Sequence, residues 1–181
     1  MLESLEVWNP FDLLFERDSS RFSRPDITFF SKQSKVPVVG VVLAHTQKEY
    51  GKNAMHHKAN EGIKKLLDSQ EMAIVKIDTR LDENSTGLRT PLEVESLIAR
   101  MDVVITTRLH GTVLALKNGI PVIAIDPIAG GAKICRQAET IGWPIIFKTE
   151  ALGKVDLEKA FEYCLTDEAY DKAKDCRERA I

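Results

Sequence analysis

The chain has 181 residues, 44% of them hydrophobic and 29% charged, which suits one globular domain and excludes a disordered chain. Twenty-five basic residues against 27 acidic ones leave a formal charge of −2, without the basic excess or stripe expected of a nucleic-acid binder. The longest apolar runs, 36–44 and 120–125, fall far short of the ~20 residues that span a bilayer, so no membrane span is expected.

Residues 1–35 read as an arm or linker. Trp8, Phe11, Leu14 and Phe15 crowd around Asn9-Pro10, a short helix is expected near 10–16, and a polar, basic stretch follows. The acidic start, Met1 to Glu6, holds no apolar run and predicts no secretory leader. From Val36 to the end the pattern is that of a single α/β domain. Val38 to Leu43 is apolar and β-branched, as in a strand buried on both faces. Met55, Ala59, Ile63 and Leu66 recur at helical spacing, so 53–69 is a predicted helix. Residues 72–77 form the next strand. The loop at 79–90 has room for a short edge strand at Gly87 to Thr90. Thr90, Pro91 and Glu93 then make a helix start: a capping hydroxyl, a first-turn proline and a capping-box glutamate. Val94, Leu97, Ile98 and Met101 supply that helix's apolar face.

Val103 to Thr106 is a strand, and Thr112 to Leu116 is a buried helix stopped by Asn118-Gly119. Pro121 to Ile125 is a strand, followed by a helix running to Ile141-Gly142; Ile145 to Phe147 is the last strand. Asp156 is expected to cap a helix whose face is Leu157, Ala160, Phe161, Cys164 and Leu165, and Thr166 to cap a final one. Such alternation means a parallel, doubly wound sheet with helices on both faces.

Ligands of open α/β sheets bind beyond the carboxyl ends of the strands, where the strand order reverses. Three strand ends carry chemistry. At Thr106-Thr107-Arg108-Leu109-His110-Gly111, a guanidinium and an imidazole arrive at a helix N-terminus, and Gly111 leaves room for a close ligand. A phosphate or carboxylate suits that place, and His110 can pass a proton; the plainer alternative is that Arg108 makes an ordinary ion pair and His110 merely caps the helix. At Asp126 to Lys133, Gly130 and Gly131 offer backbone N–H groups, with Lys133 as counter-charge; a plain turn with a solvated lysine is the simpler reading. At the end of the first strand, His45 shares a cleft with His110 if the two strands are neighbours, and is otherwise a loop residue. GxGxxG after the first strand and GxxxxGK[ST] are both missing. His56 and His57, being adjacent, read as a solvated helix face, and no metal site is expected. Cys135, Cys164 and Cys176, odd in number and without CxxC spacing, read as buried or idle thiols of a reducing compartment, placing the chain in the cytoplasm.

The run from Met101 through Thr107-Arg108-Leu109-His110-Gly111, with Ala115, Gly119-Ile120-Pro121, the apolar strand to Ile125 and Lys133, resembles the polysaccharide pyruvyl transferase family. Pro25 to Phe30 is similar to the segment that opens that family's second domain, and the likeness extends over roughly 25–150. The resemblance implies a Rossmann-like domain, one half of a GT-B-like fold. It implies transfer of a pyruvyl group from phosphoenolpyruvate to two sugar hydroxyls as a ketal, in exopolysaccharide biosynthesis and without a cofactor. By the same resemblance Arg108 would grip the donor's phosphate or carboxylate, His110 would protonate its methylene carbon, and Lys133 would be a supporting cation. Leu109, Gly111, Gly130 and Gly131 would complete the donor site. Two departures stand out. By this reading the chain holds only the second of the family's two domains: the acceptor-binding half is absent, or is supplied by another chain. The family's arginine at the end of the first strand is Ala44 here, with His45 beside it as a possible replacement. The alternatives are a GT-B-like glycosyltransferase or sugar-nucleotide enzyme, and a non-catalytic binding module whose aromatic arm docks a partner.

Overall fold

The computed structural model describes residues 12, 13, 15, 23–45, 51, 53–130 and 133–181. The chain divides into two units, Met1–Lys35 and Val36–Ile181. In the first, a 3-10 turn spans Ile27–Phe30, with the Asp26 carboxylate accepting the Thr28 N–H at 3.0 Å. Trp8, Phe11 and Leu14 lie outside the described residues, as does most of the helix expected at 10–16; residues 12, 13 and 15 are not helical.

The second unit is a five-stranded sheet: β1 (Val38–Val42), β2 (Ala73–Lys76), β3 (Val103–Thr106), β4 (Val122–Asp126) and β5 (Ile146–Lys148). Every pair is parallel and the order is β2-β1-β3-β4-β5. The chain thus winds one way from β1 to β2 and the other way from β3 onward, which puts the switch point between β1 and β3. Among the described residues six α-helices connect and cover the sheet: α1 (His56–Ser69), α2 (Pro91–Ile98), α3 (Leu109–Lys117), α4 (Lys133–Ile141), α5 (Lys154–Cys164) and α6 (Asp167–Arg179). α1 and α5 pack together in one layer, and α2, α3, α4 and α6 pack against one another in the other. Strands β3 and β4 are buried along their whole length, as continuous apolar runs require in a sheet covered on both faces. Strand β2 is the exposed edge.

Local signals act largely as the residues predict. The Thr90 hydroxyl accepts the Glu93 N–H at 3.2 Å, capping α2. The Glu93 carboxylate reaches one residue further back than a capping box requires and accepts the Arg89 N–H at 2.7 Å. The Thr166 hydroxyl caps α6 by accepting from Ala169. Asp102, at the head of β3, accepts the Val38 N–H at 2.7 Å and fixes the start of β1.

Four expectations change. Residues 87–90 form no strand, because that loop is organised by Asn84 instead. The third helix starts at Leu109, not Thr112, and Val113 and Leu114 are only half-buried. Gly153, not Asp156, is the N-cap of α5, with Asp156 in its first turn, and Leu165 is exposed. His56 is buried while His57 is exposed: His56, Ala59, Ile63 and Leu66 make one inward stripe of α1.

Both ring nitrogens of His56 are buried without a hydrogen-bond partner among the described residues, and burial lowers its pKa. The unfolded chain takes up a proton near the ordinary histidine value of about 6.5, which the folded state resists, so stability falls as pH drops through that range. His56→Leu is expected to stabilise the domain, and by more at about pH 5 than at about pH 7.5. Thermal melts at the two pH values check this; an equal shift at both would show that His56 carries no pH dependence.

Candidate functional site

Beyond the carboxyl ends of β1, β3 and β4 lies an open cleft of about 240 Å³. Ala44 lines it from β1, and Thr107, Arg108, Leu109 and His110 from the β3–α3 turn. Asp126, Pro127 and Ile128 line it after β4, and Lys133 and Ile134 from the first turn of α4.

Two threonines shape the β3–α3 turn. The Thr107 hydroxyl accepts the Ala44 N–H at 2.8 Å, tying the two strand ends together at the switch point. The Thr106 hydroxyl lies 2.9 Å from the Val42 carbonyl and accepts the Arg108 N–H at 2.9 Å. The chain therefore bends sharply at Arg108, the N-cap of α3, which makes no side-chain cap bond. The positive end of α3 is left facing the cleft. His110 is exposed in the first turn of α3, and no protein partner holds its ring among the described residues. Lys133 is exposed across the cleft, without an ion pair among the described residues.

Arg108 is half-buried, and its Nη1 donates to Asp78 Oδ1 at 3.0 Å. Burial works against the guanidinium and lowers its pKa, and the Asp78 charge opposes that effect. Burial likewise opposes ionisation of Asp78. Bonds from the Arg80 and Ser85 N–H groups, the Ser85 hydroxyl and His45 outweigh it, and the pKa falls to about 2. Asp126 is buried at the end of β4, and its carboxylate accepts the Ile128 and Cys135 N–H groups, both at 3.2 Å. It therefore occupies the N-terminus of α4, leaving that of α3 as the open one.

The structure gathers Arg108, Leu109, His110 and Lys133 around one cleft. Three expected neighbours do not line it. β1 and β3 are adjacent, yet His45 turns toward β2, with Nε2 3.4 Å from Asp78 Oδ2; it does not fill the place beside Ala44. The Gly130 N–H donates to Glu150 Oε1 and is committed to the rim, at φ 81°. Gly111 faces the sheet: a Cβ there would lie 2.2 Å from Thr106 Oγ1, so the space it saves is for strand-helix packing and not for a ligand. Gly131 lies outside the described residues.

Asp78, Thr106, Thr107 and Asp126 are additions to the expected set. All four sit at strand ends, the signal that picked out Arg108 and His45. The three cysteines are free and buried; burial pushes Cys135 up to about 11 and Cys164 up to about 12, which makes them poor nucleophiles. Among the described residues no group of His, Cys, Asp or Glu is arranged to hold a metal, and no helix is long and apolar enough to cross a membrane.

The family model for polysaccharide pyruvyl transferase matches residues 22–127, more than half of the chain. The match contains His45, Asp78 and the Arg108–Gly111 turn, and ends before Gly130 and Lys133. No curated protein matches the sequence. Among solved structures, the spinosyn rhamnosyltransferase SpnG superposes with a TM-score of 0.52 and 14% identity, over 87% of this chain and 44% of its own. The UDP-GlcNAc 2-epimerase of Methanocaldococcus jannaschii, in complex with UDP-GlcNAc and UDP, gives a TM-score of 0.50 and 15% identity, over 80% of this chain and 44% of its own. Identities this low speak to fold alone, and the fold is the Rossmann-like half of the GT-B architecture. The chain spans less than half the length of the solved structures it matches.

Proposed function

The chain belongs to the polysaccharide pyruvyl transferase family, and from that premise we propose that it is the donor-binding half of a pyruvyltransferase using phosphoenolpyruvate. The observation that carries this reading is the joint presence of Arg108, His110 and Lys133 around one open cleft, at the uncapped end of α3. A guanidinium, an ammonium and a helix N-terminus suit a small ligand with two anionic groups.

In this reading His110 gives a proton to the donor's methylene carbon, which becomes a methyl group. The adjacent carbon, made electrophilic, is attacked by one sugar hydroxyl, which loses its proton. The carbon–oxygen bond to phosphate then breaks, phosphate leaves, and a second hydroxyl closes the ketal with loss of its own proton. One of these protons restores His110 and the other balances the phosphate. Arg108 and Lys133 hold the carboxylate and phosphate through these steps. Carbon is neither oxidised nor reduced overall, so the reading calls for no redox cofactor. The acceptor sugar is bound by a second α/β domain facing this one.

Thermal unfolding of the chain with phosphoenolpyruvate and with UDP-GlcNAc tests this. A saturating ligand at 100 times its Kd adds about 2.7 kcal/mol. Phosphoenolpyruvate is expected to stabilise the wild type, the nucleotide-sugar is not, and Arg108→Ala is expected to lose the effect. Stabilisation by UDP-GlcNAc alone would turn the reading to a sugar-nucleotide enzyme.

A further inference from the structure

Beyond Lys76 the ladder continues one residue, with the Ile77 N–H bonded to the Val41 carbonyl at 3.0 Å, so Asp78 leaves the sheet beside the end of β1. The residue is 3% exposed. Three of its donors come from its own loop: the Arg80 N–H at 2.9 Å, the Ser85 N–H at 3.1 Å and the Ser85 hydroxyl at 3.0 Å. Asn84 fixes that loop independently. Its Oδ1 accepts the Thr86 N–H at 2.9 Å and the Leu88 N–H at 3.0 Å, while its Nδ2 donates to the Asp78 carbonyl at 2.9 Å. The loop therefore sets where the carboxylate sits, and Arg108 comes to it. A guanidinium is a rigid plane with five N–H groups, so holding one terminal nitrogen fixes the direction of the rest. Arg108 is held by Nη1 and still lines the cleft, its side chain 21% exposed.

We propose that Asp78 is the positioning residue for Arg108: it anchors one terminal nitrogen from behind, so that the remaining N–H groups meet the donor as a fixed edge. A loose arginine attracts any anion. A fixed one selects a ligand whose carboxylate and phosphate match its geometry. Asp78 thus confers selectivity for the two-anion donor over a simple anion, and this functional part rests on the phosphoenolpyruvate reading above.

The test is Asp78→Asn in the full chain, which keeps the shape and one acceptor oxygen but removes the charge. Calorimetric titration with phosphoenolpyruvate and with inorganic phosphate is paired with nitrogen NMR of the Arg108 side chain. Wild type is expected to show slow rotation of the Arg108 Nη groups, and Asp78→Asn fast rotation. Phosphoenolpyruvate affinity is expected to drop about tenfold, the equivalent of one weakened charge-assisted contact, with phosphate affinity nearly unchanged. Unaltered Arg108 signals in the variant, or equal losses for both ligands, would overturn the proposal. If the variant does not fold, the wild-type spectrum decides: hindered Nη rotation supports the anchor and free rotation refutes it. If wild type binds neither ligand, the donor assignment fails, while the Arg108 signals still report on the anchor.

Discussion

Gly111→Ala is expected to cost about 3 kcal/mol, the upper part of the usual range for overpacking a filled interior. The new Cβ would stand 2.2 Å from Thr106 Oγ1, 2.9 Å from Thr106 Cβ and 3.1 Å from Val42 Cβ. Thr106 has nowhere to go. It is fully buried, and its hydroxyl bridges the Val42 carbonyl and the Arg108 N–H. The strain must therefore lift the first turn of α3 from the sheet, and that turn carries His110 and begins at Arg108. Urea unfolding is expected to show a lower midpoint at unchanged slope. Adding Thr106→Ala removes the nearest clashing atom, so the double variant should be more stable than the summed single effects predict. A wild-type midpoint for Gly111→Ala would mean that the helix and strand are not in close contact there.

That glycine also marks the boundary between what the sequence discloses and what it conceals. Strands buried on both faces announce themselves as unbroken apolar runs, and β1, β3 and β4 lie where Val38–Leu43, Val103–Thr106 and Pro121–Ile125 place them. Capping chemistry is equally local, so Thr90 and Thr166 are readable from their neighbours. The start of α3 is not, because Arg-Leu-His-Gly has no helical periodicity; the helix begins there because Thr106 bends the chain. Interactions that depend on strand order are hidden altogether. Arg108 meets Asp78, 30 residues away, only because β1 lies between β2 and β3. The same order draws His45 toward β2 and away from His110. Gly111 reads as clearance for a ligand until the strand beneath it is placed.

His110→Ala is expected to lower turnover by about 10²- to 10⁴-fold, the usual worth of a positioned proton donor, while leaving phosphoenolpyruvate affinity within a few fold. Both halves of that expectation follow from where the ring sits. His110 is exposed on the first turn of α3, so its removal disturbs no core packing and the melting temperature should hold. Its ring is engaged by no protein group among the described residues and is free to meet a ligand in the cleft, and in the proposed reading it is Arg108 and Lys133 that hold the anion. Phosphate release from phosphoenolpyruvate, with hexoside acceptors and the acceptor-binding domain present, measures turnover. In heavy water the ketal's methyl group should carry one deuterium. His110→Gln separates hydrogen bonding from proton transfer: it keeps a donor N–H but is expected to be as slow as alanine. If either variant keeps more than about a tenth of wild-type turnover, the proton comes from elsewhere. Lys133, the other exposed donor on the cleft, is the group to replace next.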